Sequence, residues 1–266
     1  VFSISGTLVF IWGLIMPLLL YGAENPGEES PGPVFNLTPE EQKWLDRRPV
    51  IRIGTMDNWP PLSYHGRSGI IAGIGVDYIA ALNQRLGGRL KIVPAPFARN
   101  YKAVKEKELD ALMDITPKIE REPFFNFTKS YLKIPHVIVG VKNGPFFNSE
   151  KDLAGRTVAL EKGFGNVRYF QTRYPDVSIR QYPSTSAALD AVSRNEADAY
   201  AGNRTVAFFL IEQELIPNLQ IQGKLDIPPT RLNIGVRKDW PELAAILDRA
   251  LDSLSREEKR QIHQKW

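Results

Sequence analysis

RTVALEKGFGNVRYFQTRYPDVSIRQY, residues 156–182, reads as one βαβ unit. RTVALE is an apolar run of strand length, the glycines at 163 and 165 turn the chain, a helix is expected over 165–173, and VSIRQY returns as a strand. Downstream the alternation continues with a helix through TSAALDAVSRN, a strand at DAYAG and a helix through RTVAFFLIEQEL. Upstream the same order occurs without sequence repetition. VIRIG (50–54) reads as a strand, GVDYIAALNQRLG (75–87) as an amphipathic helix stopped by Gly87, LKIVPA as a strand, NYKAVKEKEL as a helix and DALMDI as a strand.

Two βαβαβ units imply an α/β fold of two doubly wound lobes. IPHVIVGVK leaves the first unit and RLNIGVRK returns to it, so a two-strand hinge is expected. Lobe 1 is expected over 38–141 and 233–266, and lobe 2 over 142–232. The closing stretch WPELAAILDRALDSLSREEKRQIHQKW predicts two helices split near Ser255, with Glu258 completing a capping box, packed back on lobe 1. Thr38, Pro39 and Glu41 predict a short helix to about residue 47. Ligands of open α/β sheets bind beyond the carboxyl ends of the strands, so the cleft between the lobes is where function is expected.

Composition narrows the chemistry. The 34 Lys and Arg are scattered among 30 acids, without the long basic blocks of a nucleic-acid footprint, so no nucleic-acid partner is expected. The absence of cysteine excludes a thiol nucleophile, a thiolate metal site and a disulfide framework. His65, His136 and His263 lie far apart without metal-ligand spacing, and no HExxH, GxSxG or Walker loop occurs, so no metal and no cofactor are expected. GIGVDY (73–78) begins like a dinucleotide loop, but Tyr78 stands where the third glycine belongs; packing or turn glycines are the reading preferred.

Residues 1–23 carry no charge and suit either the apolar region of a signal peptide or one membrane anchor. Residues 24–37 contain ENPGEESPGP and read as a linker. Either reading of the first segment places the remainder outside the cytoplasmic membrane, in the periplasm or an equivalent extracytoplasmic space. The helical end at Trp266 without a polar tail reads as a domain cut.

From about residue 49 to 266 the sequence resembles the bacterial extracellular solute-binding proteins of family 3, the polar amino-acid binders with a Venus-flytrap fold of the type II periplasmic-binding-protein class. The matching stretches are VIRIGTMDNWPPLSY, GIGVDYIAALNQRLG, DALMDITPKIEREPFFNFTKSY, DLAGRTVALEKGFG and EADAYAGNRTVA. The proline-and-aromatic start, the arginine six residues before Phe127, and VRKDWPEL look most like the sensor modules of histidine kinases and diguanylate cyclases.

The resemblance implies a set of site residues. Arg121 stands where the family holds the ligand carboxylate, and a guanidinium offers a planar fork of donors for that group. The alternative is a surface arginine paired with Glu120 or Glu122. Thr116 and Asp114 fall at the strand end facing the cleft, and Thr116 equally suits a cap before Pro117. Phe164, Gly165 and Asn166 match the glycine loop that opens a helix and presents amides to an anion, or an ordinary strand-to-helix turn. Trp59, Tyr64 and Phe97 fall where family aromatics sandwich the ligand, while Phe124, Phe125 and Phe127 read as core. Asn203 departs from the pattern, because amino-acid binders usually place there the Asp that takes the ligand ammonium. Either Asp114 or Asp57 then substitutes, or the ligand is an organic acid without an α-amine.

The expected function is therefore ligand binding without catalysis. The partners would be a small carboxylate-bearing molecule and either a membrane-bound signalling domain or an ABC permease. A less favoured reading is an enzyme similar to cyclohexadienyl dehydratases, with Asp114, Asp57 or Glu161 as the acid.

Overall fold

The computed structural model describes residues 34–66, 68–213 and 215–266. The expected export segment at 1–23 and the expected linker as far as residue 33 lie outside them. No helix among the described residues is long and apolar enough to cross a membrane.

The described chain opens with α1 (Pro39–Asp46), where Thr38 and Glu41 cap each other: the Glu41 amide donates to Thr38 Oγ1 at 3.3 Å and the Thr38 amide to Glu41 Oε2 at 2.8 Å. It is followed by β1 (Ile51–Thr55), the short strands β2 (Asn58–Trp59), β3 (Ser63–His65) and β4 (Ile71–Ala72), and α2 (Ile74–Arg85). Next come β5 (Leu90–Pro94), α3 (Phe97–Lys105), β6 (Ala111–Ile115), β7 (Phe125–Phe127) and β8 (Leu132–Ile134). The strands form a sheet ordered β5-β1-β6, all parallel, and all five residues of β6 are buried, as expected for a strand covered on both faces. Strands β2, β3 and β4 make a separate three-stranded sheet that the sequence reading does not contain.

The second sheet is built from β9 (His136–Val141), β10 (Thr157–Glu161), α4 (Gly165–Arg173), β11 (Ser178–Tyr182), α5 (Thr185–Ser193), β12 (Ala199–Asn203), α6 (Arg204–Gln213) and β13 (Leu219–Lys224). Its order is β11-β10-β12-β9-β13. The chain then returns through β14 (Thr230–Arg237), which lies antiparallel to β6, β7 and β8 in the first sheet, and ends in α7 (Pro241–Asp252) and α8 (Arg256–Gln264).

Both α7 and α8 pack on α2. Ser255 and Glu258 form the expected capping box, and Arg85 of α2 grips both Glu258 carboxylate oxygens at 2.9 Å. The lobe boundary differs from expectation. His136–Val141 pairs on one side with β12 and on the other with β13, so the apolar run read as a crossing is a central strand of the second sheet. The chain changes sheets at Pro135 and again between β13 and β14, rather than at residues 141 and 233.

The glycines of GIGVDY are packing glycines. Gly73 has φ of 134°, and a Cβ there would meet Leu62 O at 2.3 Å; at Gly75 it would meet Asp114 Oδ1 at 3.0 Å.

Candidate functional site

Strand register brings the carboxyl ends of both sheets to the crossings. Asn203, the last residue of β12, pairs with His136, the first of β9, while Ile115 at the end of β6 pairs with Asn233 near the start of β14. Two bonds tie this region together: Arg204 N donates to Pro135 O at 3.0 Å, and His136 Nε2 lies 3.0 Å from Thr230 Oγ1.

On the first lobe, Arg121 ends a 3-10 turn over Ile119–Arg121. Its Nη1 donates to the Thr116 carbonyl at 2.7 Å, and its guanidinium carbon lies 5.4 Å from the Phe97 ring centroid and 5.7 Å from that of Tyr101. Phe97 and Tyr101 stack at 5.8 Å, and Phe125 and Phe127 extend the stack. The cation thus rests on an aromatic ledge, a contact worth on the order of 1 kcal/mol. Partial burial lowers its pKa. Among the described residues no carboxylate lies within ion-pair distance of it; Glu120 instead faces Lys118 at 3.9 Å. The structure therefore brings together Arg121, Thr116 and Phe97, three of the expected site residues, and adds Tyr101, one helical turn beyond Phe97.

Asp114 is placed otherwise. It is 3% exposed, and both oxygens are occupied: Ser63 Oγ donates to Oδ2 at 3.0 Å and the Tyr131 hydroxyl donates to Oδ1. Burial pushes its carboxyl up to about 6 against those two bonds. Its φ of 59° turns the side chain toward α2 and β3. Both oxygens are thus taken up by hydroxyls inside lobe 1, whereas the sequence reading places the residue at the strand end facing the cleft. Asp57, by contrast, is half-buried just beyond β1, and among the described residues its carboxylate has no ion pair; its carbonyl accepts from His65 N at 3.1 Å.

The expected aromatics separate. Phe97 lies under Arg121, whereas Trp59 packs against the large apolar cluster that runs through both lobes. Tyr64 meets Phe209 of α6 at 5.7 Å and Trp266 at 6.0 Å, both edge-on, and burial raises its pKa. Of the three phenylalanines read as core, Phe125 is buried and Phe127 half-buried, but Phe124 is 37% exposed under the Lys105 ammonium. It lines an outer concavity of about 230 Å³ with Val104, Pro123 and Arg237, away from the expected site residues.

On the second lobe, Phe164 is the N-cap of α4 and 44% exposed, Gly165 is exposed, and a Cβ on Gly165 would meet open space. Asn166 is buried and donates from Nδ2 to Ala201 O at 3.0 Å, which lashes the start of α4 to β12. Asn203 is also buried, and its Oδ1 accepts from Val206 N at 3.0 Å, capping the first turn of α6. Glu161 is 3% exposed; its Oε1 accepts from Thr185 Oγ1 at 2.6 Å and from the Tyr200 hydroxyl at 2.8 Å. Among the described residues no group of three acids, histidines or cysteines is arranged to hold a metal.

Sequence reasoning missed Ser63, Tyr131, Tyr101 and Phe209. Tyr101 carries a signal, since it follows Phe97 by four residues on one helix face. The others belong to partners distant in sequence.

Residues 51–266 match the bacterial extracellular solute-binding proteins, family 3. The chain is 26% identical to the virulence sensor protein BvgS of Bordetella pertussis (strain Tohama I) over 262 residues, 98% of this chain but 20% of that protein. It is 26% identical to ABC transporter arginine-binding protein 1 of Escherichia coli (strain K12) over 211 residues, 77% of this chain and 84% of that protein. The crystal structure of the BvgS periplasmic VFT2 domain from Bordetella pertussis aligns with a TM-score of 0.77 at 25% identity, covering 87% of this chain and 99% of that one. The two-lobed architecture is thus that of the Venus flytraps. The chain spans only 20% of the length of the sensor protein it matches.

Proposed function

Because the chain belongs to the bacterial extracellular solute-binding proteins of family 3, we propose that it closes on a small carboxylate-bearing ligand outside the cytoplasmic membrane and acts as the input domain of a membrane signalling protein. One observation carries the ligand class: a half-buried guanidinium on an aromatic ledge, without a carboxylate partner among the described residues. Burying that charge costs free energy that an incoming carboxylate offsets with bonds of about 1.5–3 kcal/mol each. Half-buried Asp57, without an ion pair among the described residues, is the acid we assign to a ligand ammonium, since Asp114 is enclosed and Asn203 caps α6.

The exposed turn at Phe164 and Gly165 supplies the second lobe's contacts, through amides at the start of α4. Closure follows if only the closed form makes both sets of contacts. Converting a mostly open population into a mostly closed one takes about 5.5 kcal/mol of differential binding. Similarity to the BvgS sensor across 98% of this chain supports the signalling role. The match to 84% of an arginine-binding protein supports a second reading, delivery of an amino acid to an ABC permease. Asp114 and Glu161 each spend an oxygen on buried hydroxyls, which lends no support to a dehydratase acid in the cleft.

The test is a thermal-shift screen of the full chain against amino acids and simple carboxylic acids, repeated with Arg121→Ala. At 100 times its Kd, a ligand adds about 2.7 kcal/mol to stability. At least one acid is expected to raise Tm in the natural chain and to lose that effect in the variant. Equal responses in the two proteins refute the anchor.

A further inference from the structure

Tyr64 is a ring shared between the second lobe and the end of the chain. On one side it meets Phe209 of α6 at 5.7 Å with an interplanar angle of 64°, and on the other it meets Trp266 at 6.0 Å and 77°. Trp266 lies two residues past the end of α8, after the C-cap Lys265, and its position is fixed from behind. Its Nε1 donates to Asp77 Oδ2 at 2.7 Å, and Lys265 Nζ reaches the same carboxylate at 2.9 Å. The next residue of α2, Tyr78, places its hydroxyl 3.2 Å from Nε2 of His263 on α8.

These contacts divide into two kinds. Those from Asp77 and Tyr78 lie within lobe 1 and survive any movement of lobe 2. The Phe209–Tyr64 contact crosses between lobes and exists only while α6 stands against β3. Tyr64 therefore has two ring neighbours with the lobes together and one with them apart, and the ring it keeps belongs to the last residue after α8.

We propose that Phe209, Tyr64 and Trp266 form a closure-sensing junction, in which docking of α6 on Tyr64 seats Trp266 and steadies α8, and withdrawal of α6 loosens both. The junction rests on the opening and closing of lobes in the proposed function, and it adds which element reads the movement and through which side chains. Tyr64 is then a positioning residue for α8 rather than a wall of the ligand site, although the sequence places it among the ligand aromatics.

The test requires no ligand, so its outcome is independent of the Arg121 anchor. Hydrogen exchange is measured on the full natural chain, on Phe209→Ala, and on Phe208→Ala, whose side chain is 51% exposed on the same helix. An aromatic pair of this kind predicts that Phe209→Ala speeds exchange in residues 256–264 by about two- to tenfold, with β6 unchanged and Phe208→Ala like the natural chain. In protein labelled with 5-fluorotryptophan, the fluorine resonance assigned by Trp266→Phe shifts in Phe209→Ala alone. Phe209→Leu keeps apolar bulk without the ring and serves if the alanine variant does not fold. Exchange in 256–264 at the natural rate, with an unmoved resonance, overturns the proposal, and so does an equal rise throughout lobe 1.

Discussion

Asp114 shows how far a single side chain departs from what its position suggests. Its carboxyl is pushed from 3.8 up to about 6, chiefly by burial, while the bonds from Tyr131 and Ser63 pull the other way. Between about pH 4 and 6 the folded chain therefore holds a proton that the unfolded chain has released, and stability falls as pH rises through that window. Protonated Asp114 contributes its full stabilisation below about pH 4 and none above about pH 6; the difference is roughly 2–3 kcal/mol. Asp114→Asn keeps a polar side chain that tolerates φ of 59° and removes the titration. Relative to the natural chain, the variant is expected to gain that amount in urea unfolding between pH 4 and pH 7.5. Buried His136 and the more exposed His263, whose pKa values are both lowered by desolvation, oppose the trend by losing stability as pH falls through 6.5, but they do so in both proteins and cancel in the difference. A difference that stays flat across this range contradicts the account. Sequence spacing found the strand end that bears Asp114 but not the direction of its carboxylate, because a positive φ at a non-glycine residue leaves no mark in the pattern.

At the scale of elements, local chemistry was the most legible. Helix α4 occupies residues 165–173 as expected, because a glycine turn precedes it and Arg173 ends it. Helix α8 begins at the capping box read from Ser255 and Glu258, and there the structure adds what spacing does not contain, a fork from Arg85. Glu258 thus joins a cap to a contact between α2 and α8. Glu258→Ala removes the carboxylate half of the capping box and the Arg85 contact, while Ser255 Oγ still accepts from the amide of residue 258; each lost hydrogen bond is worth about 0.5–1.5 kcal/mol. Urea unfolding is expected to show a lower midpoint with an unchanged m-value, and Glu258→Gln, which can still accept from Ser255 N, should recover part of the loss. An unaltered midpoint in Glu258→Ala would leave the cap without energetic weight. The small β2-β3-β4 sheet escaped notice because two strands of two residues and one of three are too short to show alternation.

For the whole molecule, the two-lobed plan was readable from repeated βαβαβ order, whereas the place of exchange was not. An apolar run between two units reads equally as a crossing or as a buried central strand, and only pairing with β12 and β13 decides that β9 is the latter. The consequence is mechanical. One buried apolar cluster runs from Leu45 and Ile53 of lobe 1 through Ile134, Val137 and Val139 at the crossing to Tyr200 and Leu210 of lobe 2. A hinge between independent cores would let each lobe melt by itself; a cluster continuous through the crossing makes exposure of one lobe's interior uncover part of the other's. Residues 34–266 are therefore expected to unfold in one calorimetric transition, with van't Hoff and calorimetric enthalpies that agree. Arg121→Ala, which removes only the bond to the Thr116 carbonyl and the contact with the Phe97 and Tyr101 ledge, should leave that single transition intact. Val139→Ala, within the shared cluster, should lower its temperature without splitting it, at a cost of a few kcal/mol for lost apolar contact. Two resolved transitions in the natural chain would mean that the lobes fold as separate units and that the shared cluster does not couple them.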